Sequence, residues 1–268
     1  MSQTEPKSAA SPPPLPDDLP KTALITGGAT RVGAALALGL AQAGFAIGLH
    51  YRGSRDAAEQ TARAIEAVGS RVTLLQAELT NMAETERMMP AVHKAFGPVG
   101  VLINNASTFE SDSLTDFNEA LWDTHFDVHV KAPVRLAGQM SDLLPEGNNG
   151  LIINVIDQRV WKLTPGFTSY TLSKAALWAA TQTMAQALAP RIRVNAIGPG
   201  PTLPSPRQAQ EDFDAQVASV PLQRAPGLDE FVETALYMVR TRSMTGQMVA
   251  LDGGQHLAWE TPDQMMGE

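Results

Sequence analysis

Cysteine is absent from the 268-residue chain, which excludes disulfides, thiolate catalysis and cysteine-ligated zinc. The five histidines, His50, His93, His125, His129 and His256, form no HExxH pattern, so no metal site is expected. Positive charge is not in excess either. The formal net charge is -8, which argues against a nucleic-acid partner. No apolar run approaches the roughly 18 residues of a membrane span, and the segment before Lys21 lacks both an apolar signal core and a basic start. A cytoplasmic protein with no membrane partner is expected. The opening stretch SQTEPKSAASPPPLPDDLPK is proline-rich and reads as a disordered tail over residues 1–20. One domain is expected over 21–257, followed by a C-terminal tail over 258–268.

Hydrophobic residues make up 44% of the chain, enough to fill the core of one large α/β domain. Apolar, β-rich runs alternate with helix-patterned segments. The runs are TALIT (22–26), FAIGLH (45–50), RVTLLQ (71–76), VGVLIN (99–104), LIINVI (151–156), RIRVNAI (191–197) and QMVALDGG (247–254). Helical patterns fall at 31–43, 55–68, 83–96, about 117–144, 166–189, near 208–218 and at 228–240, with a proline-rich loop at 199–207. Strands without polar alternation, separated by helices, imply a parallel sheet covered on both faces. Right-handed crossovers make this a doubly wound, Rossmann-type sheet of seven strands, with a dinucleotide crevice at its switch point.

The first strand enters TGGATRVG (26–33) and then a helix. Glycines there permit a tight turn and close approach to a pyrophosphate, and the helix N-terminus offers free N–H groups. Arg31 stands where a third glycine could sit; its guanidinium is placed to reach phosphates or a substrate, or to cap the surface. The second strand ends in LHYRGSR (49–55), where an acid holds the ribose hydroxyls in NAD-binding folds. With no acid and two arginines, the loop suits a 2′-phosphate, hence NADPH. After the fourth strand, NNASTF (104–109) offers asparagines to brace the sheet edge, small residues beneath a cofactor, and the Phe109 ring. That ring either stacks on a flat heterocycle or closes the core.

Tyr170 and Lys174 lie four residues apart in TSYTLSKAAL and share a helix face. An ammonium beside a phenol is expected to lower the phenol's pKa towards neutrality. Such a phenol donates a proton as a hydride arrives. Asp157 ends the fifth strand thirteen residues before Tyr170. Its carboxylate disfavours a developing alkoxide but accepts from ring N–H or amino groups.

TGxxxxxG, NNA, YxxxK and a closing DGG, in that order across about residues 20–257, resemble the short-chain dehydrogenase/reductase family. Within it the chain resembles the pteridine reductases, including the bacterial dihydromonapterin reductase type. The shared features are Arg31 in the turn; His50, Tyr51 and Ser54 after the second strand; Asn104 to Phe109; and Asp157 where the family usually carries a serine. The resemblance implies NADPH contacts from Gly27, Arg31, Val32 and Gly33, from His50, Tyr51, Arg52 and Ser54, and from Glu78 and Leu79. It adds contacts from Asn105, Ala106 and Ser107, from Tyr170 and Lys174, and from Pro199 and Gly200, with a lid over roughly 201–225. It makes Asp157, Tyr170 and Lys174 catalytic, and Arg31, Ser107, Phe109, Asp157, Phe167 and Tyr170 substrate-binding. Phe109 would sandwich a pterin against the nicotinamide.

Three positions depart from the wider pattern. Glu78 replaces an aspartate at the adenine, His129 replaces the helix asparagine of a catalytic tetrad, and Phe167 stands where some pteridine reductases have tyrosine. The implied activity is hydride transfer to a dihydropterin of the dihydromonapterin type, with dihydrofolate a slower substrate. Reduction of a ketone, quinone or 3-oxoacyl group is the alternative, and a non-catalytic nucleotide-binding protein the third. A homo-dimer or homo-tetramer is expected.

Overall fold

The structure is a computed structural model that describes residues 13–205 and 208–259. Seven strands form one sheet: β1 (Thr22–Ile25), β2 (Ala46–Tyr51), β3 (Val72–Gln76), β4 (Val101–Asn104), β5 (Gly150–Val155), β6 (Ile192–Pro199) and β7 (Met248–Leu251). They stand in the order β3-β2-β1-β4-β5-β6-β7, and every neighbouring pair is parallel. The chain reverses its direction of sheet growth between β1 and β4, so the crevice opens at the carboxyl ends of those strands.

Side chains alternate along each strand and supply two cores. Ile25, Ile103 and Ile153 join one apolar layer with Leu36, Leu40, Phe45 and Phe231. Leu24, Leu102 and Ile152 join the other with Met88, Met89, Val92 and Leu136. The first layer is roofed by α1 (Arg31–Gln42), α2 (Arg55–Ala67) and α8 (Leu228–Arg240), the second by α3 (Met82–Phe96) and α5 (Ala132–Leu143). This two-sided burial is why the strands carry no polar alternation. Helix α6 (Thr168–Ala187) lies between β5 and β6, and α7 (Gln210–Ala218) follows β6.

The helix expected over about 117–144 is divided. It comprises α4 (Glu119–Phe126), a π-helical segment Asp127–Lys131, and α5. The wider π turn places His129 in the interior, 1% exposed, where a straight helix would deliver a different face.

The expected N-terminal tail needs correction at its end, while residues 1–12 lie outside the described residues. Leu19 is buried against the first core layer, and the Asp18 carbonyl accepts from Asn149 N at 2.8 Å. The Asp18 carboxylate pairs with Arg242. One buried leucine and these polar anchors outweigh the disorder that the surrounding prolines suggest. Of the expected C-terminal tail, residues 260–268 lie outside the described residues.

Candidate active site

The turn after β1 is shaped by close backbone approaches. Gly27 has φ +62, and a Cβ on Gly33 would lie 2.1 Å from the Gly27 carbonyl oxygen. Any side chain at Gly33 would therefore fill the space beneath the turn. Asn105 Nδ2 donates to the carbonyls of Thr26 and Gly27, both at 3.0 Å, and Thr26 Oγ1 accepts from Asn105 N and Ala106 N at 3.0 Å each. Asn105 thus stands at the cleft wall, with both amide hydrogens spent on the turn. Val32, Ala106, Pro199 and Gly200 line the same cleft, of about 350 Å³. The cleft, the uncovered turn and the α1 N-terminus suit a dinucleotide pyrophosphate.

His50, which the motif implies as a cofactor contact, lines the side pocket beside the turn. It is buried; its Nδ1 accepts from Gly27 N–H at 3.0 Å and its Nε2 faces the Ala77 carbonyl at 3.0 Å. Accepting at Nδ1 places the proton on Nε2, so the ring is neutral; burial also holds its pKa down. Both nitrogens are engaged with backbone, and His50 shapes the turn from beneath. Beside it, Tyr51, Arg52, Ser54, Glu78 and Leu79 line a side pocket of about 200 Å³. The Arg52 guanidinium is largely exposed at its rim and stands 3.9 Å from the Glu78 carboxylate, so it remains available to an anion. Arg55 instead donates to Glu59 on its own helix at 2.9 Å.

Arg31 has φ +54, the left-handed conformation that glycine adopts freely. Its guanidinium donates to the carbonyls of Pro204 at 2.8 Å and Leu203 at 3.0 Å. The guanidinium thus holds the segment that follows β6, while Arg31 also lines the cleft.

Asp157, Tyr170 and Lys174 come together. Tyr170 Oη donates to Asp157 Oδ2 at 2.9 Å, while Asp157 Oδ1 accepts from Arg159 N at 2.8 Å. Lys174, 2% exposed, donates to the Val155 carbonyl at 2.9 Å, which leaves two hydrogens of its ammonium for the cleft it lines.

The expected lowering of the Tyr170 pKa is corrected. Burial and the neighbouring Asp157 carboxylate push the phenol well above its ordinary value. Lys174 rests on the β5 backbone, with its ammonium 5.7 Å from the Tyr170 ring centroid, and does not dominate the phenol. Burial in turn lowers the Lys174 pKa to about 8, against the opposing pull of Asp157. The phenol therefore keeps its proton at working pH, and the ammonium is the group that titrates. We expect kcat/KM to fall as pH rises through about 8, because the protonated lysine is present below that value and lost above it. A pH profile flat from 7 to 10 would contradict this.

His129 occupies the tetrad position within a bonded network. Its Nε2 accepts from Thr108 N at 3.2 Å and faces Ser107 Oγ at 3.0 Å. Its Nδ1 lies 2.8 Å from Ser173 Oγ, whose hydroxyl donates to the Tyr170 carbonyl at 2.8 Å. The ring is thus the neutral Nδ1–H tautomer, and burial and Lys174 hold its pKa well down. It ties the Ser107 loop to α6, the helix that carries Tyr170 and Lys174. A second tie escaped the sequence reading. Both Asp112 carboxylate oxygens accept from Ser169 N at 3.1 Å, and Ser169 Oγ meets His125 Nδ1 at 2.6 Å. An aspartate facing free N–H groups at a helix start is a recognisable cap, but Asp112 is 57 residues from its partner.

Phe109 and Phe167 stack at 4.4 Å with planes 8° apart, and Phe109 meets Tyr170 edge-on at 4.7 Å. Phe167 holds φ +57, an uncommon conformation for a bulky residue and one that clusters at functional sites. Phe109 and Tyr170 line a pocket of about 460 Å³ together with Ser107, Asp157, Leu203 and Phe213, whereas Phe167, expected to bind substrate, stacks on Phe109 and is not among the lining residues. The pocket shares Arg31, Val32, Asp157 and Tyr170 with the dinucleotide cleft. Sequence reasoning missed Arg159, which lines it too.

The sequence profile described as short chain dehydrogenase matches residues 21–215. A crystal structure of FolM alternative dihydrofolate reductase 1 from Brucella canis, complexed with NADP, is 54% identical, with a TM-score of 0.88 over 90% of this chain and 96% of that one. A short chain dehydrogenase from Burkholderia cenocepacia in complex with NADP is 30% identical, with a TM-score of 0.82 over 90% of this chain and 100% of that one. Among curated proteins, the 3-oxoacyl-[acyl-carrier-protein] reductase FabG of Staphylococcus epidermidis is 30% identical over 88% of this chain and 99% of its own length.

Proposed function

Because the chain belongs to the short-chain dehydrogenase family, we propose that it is an NADPH-dependent reductase of a dihydropterin. The observation that carries this reading is the Asp157 carboxylate at 2.9 Å from the Tyr170 hydroxyl, beside the flat wall of Phe109. A carboxylate at the reacting centre accepts from N–H and amino groups and disfavours an alkoxide. The bond to be reduced is then a ring C=N, whose nitrogen takes a proton. The 54% identity to a structure named as an alternative dihydrofolate reductase supports the same substrate class.

NADPH supplies the hydride when bound. The turn around Gly27 and Gly33, with Val32, Ala106 and the Pro199–Gly200 strand end, would hold it. Lys174 directs ammonium hydrogens into the cleft, and Tyr170 keeps a proton ready for the substrate nitrogen. Asp157 orients that phenol and a heterocycle's N–H edge. Arg31 draws the lid over both and limits water.

The test is NADPH oxidation by the purified protein with dihydropterins, dihydrofolate, quinones and acetoacetyl thioesters. Turnover of a dihydromonapterin-type substrate, with dihydrofolate slower, is expected. Reduction of thioesters or quinones with no activity on any saturating dihydropterin would favour the second reading, a 3-oxoacyl or quinone reductase, which the FabG similarity supports.

Cofactor choice is a separate prediction. NADPH should exceed NADH by at least about tenfold in kcat/KM, or roughly 1.4 kcal/mol, because Arg52 and Ser54 border the side pocket without a competing acid on β2. The double change Arg52→Ala, Ser54→Ala should erode that ratio and leave NADH rates nearly untouched. Equal efficiency in the unmodified protein would refute the assignment.

A further inference from the structure

Arg159 stands on the short 3-10 turn Gln158–Val160 that follows β5. Its backbone N–H is fixed on Asp157 Oδ1 at 2.8 Å, so the side chain leaves the backbone beside the catalytic carboxylate. Its guanidinium carbon lies 5.2 Å from the Phe167 ring centroid, 5.6 Å from that of Phe109 and 5.8 Å from that of Tyr170. The cation thus flanks a stacked pair whose Phe109 ring lines the substrate pocket.

Two of its nitrogens, Nε and Nη1, are shielded from solvent and have no hydrogen-bond partner among the described residues. Ring faces attract a cation but do not replace an oxygen acceptor for its N–H groups. Buried donors of this kind are ordinarily satisfied. The residue lines the same pocket as Asp157 and Tyr170, and no step derived above uses its side chain.

The chemistry of the pair is complementary. Asp157 accepts from N–H and amino groups, whereas Arg159 only donates. A heterocycle that carries amino, ring N–H and oxo groups presents both needs at once. An acidic side chain on that heterocycle would present the second. We infer that Arg159 is a substrate-contacting, specificity-determining residue that donates hydrogen bonds to an oxygen acceptor of the substrate, either the ring oxo group or a side-chain carboxylate. This inference rests on the dihydropterin reading. It also explains why Phe109 and Phe167 stack beside a cation: the rings exclude water from the guanidinium, so an acceptor placed there gains more than it would in solvent.

The experiment compares wild type, Arg159→Met and Arg159→Lys as full-length proteins. It measures kcat and KM on a dihydropterin with a neutral polyol side chain and on dihydrofolate. NADPH affinity by fluorescence titration and thermal unfolding serve as controls. In Arg159→Met, kcat/KM should fall about 10- to 100-fold, carried mainly by KM, with NADPH affinity within twofold. Equal loss on both substrates identifies the ring oxo group as the acceptor. Loss confined to dihydrofolate identifies the carboxylate.

Arg159→Lys keeps the cation and much of the packing, so it reports even if Arg159→Met does not fold. It should fall between the other two, since an ammonium does not reproduce the planar fork. Unchanged kcat/KM in the substituted proteins would overturn the inference. So would losses that merely follow NADPH affinity and unfolding temperature, which would leave Arg159 a prop for the rings. If wild type reduces no dihydropterin, the functional reading is what fails. The variants are then compared on the carbonyl substrate that is reduced; loss through KM there sustains the contact with an oxygen acceptor, and no loss overturns it.

Discussion

Replacing Tyr170 by phenylalanine is expected to lower kcat by about 10²–10⁴-fold, the usual worth of a positioned general acid, with NADPH affinity within a few-fold. The ring would still pack edge-on against Phe109 at 4.7 Å, because the substitution removes only the hydroxyl. Lost with it are the proton and the hydrogen bond to Asp157 Oδ2. Burial and Asp157 keep the phenol protonated, so its role is that of an acid in place before the substrate arrives, not an anion awaiting a proton. Single-turnover NADPH oxidation, with cofactor binding followed by fluorescence, separates the two effects. Wild-type turnover in the variant would show that the proton comes from elsewhere, with Asp157 or a water the next candidate.

Asp157→Ser is expected to lower dihydropterin turnover by about 10²-fold, roughly 2.7 kcal/mol, and to raise reduction of a simple ketone from nothing to a weak but measurable rate. Two contributions act together. The carboxylate that meets an N–H edge is gone, and the negative charge that opposes an alkoxide is gone with it. The same change removes the largest charged influence raising the Tyr170 pKa, so the basic limb of any phenol titration should move down. Measuring both substrates across pH on the one variant tests the three consequences together. Unimpaired dihydropterin turnover would remove the argument that connects Asp157 to a nitrogen heterocycle.

Much of the fold was legible because local rules and tertiary demands agree. The largely apolar runs at 22–26, 99–104 and 151–156, which lack polar alternation, read as strands buried on both sides, and they form the centre of the parallel sheet. Glycines 27 and 33 announced a tight turn into α1, and the Tyr170/Lys174 spacing put both side chains on one helix face, since each depends on contacts within one element or between neighbours in sequence. The chain order of those elements, with Asp157 ahead of Tyr170, was enough to indicate a reductase of this family.

What the sequence could not decide was the balance of fields at each group. Lys174 stands one helical turn from Tyr170, yet it donates to the Val155 carbonyl, and burial together with the carboxylate across the strand end governs the phenol instead. His50 reads as a cofactor contact in its motif and lines the side pocket; that both its nitrogens also meet backbone from other strand ends is settled only by the fold. Arg159 has no spacing that distinguishes it from a surface arginine; only its approach to Phe109, Phe167 and Tyr170 does so. Residue order and periodicity determined which elements form and which chemical groups reach the sheet's carboxyl edge. Burial, and the pairing of groups tens of residues apart, decided which of them are charged, which are spent on the backbone, and which remain to act on a substrate, because desolvation and hydrogen bonding depend on neighbours that the chain brings together only on folding.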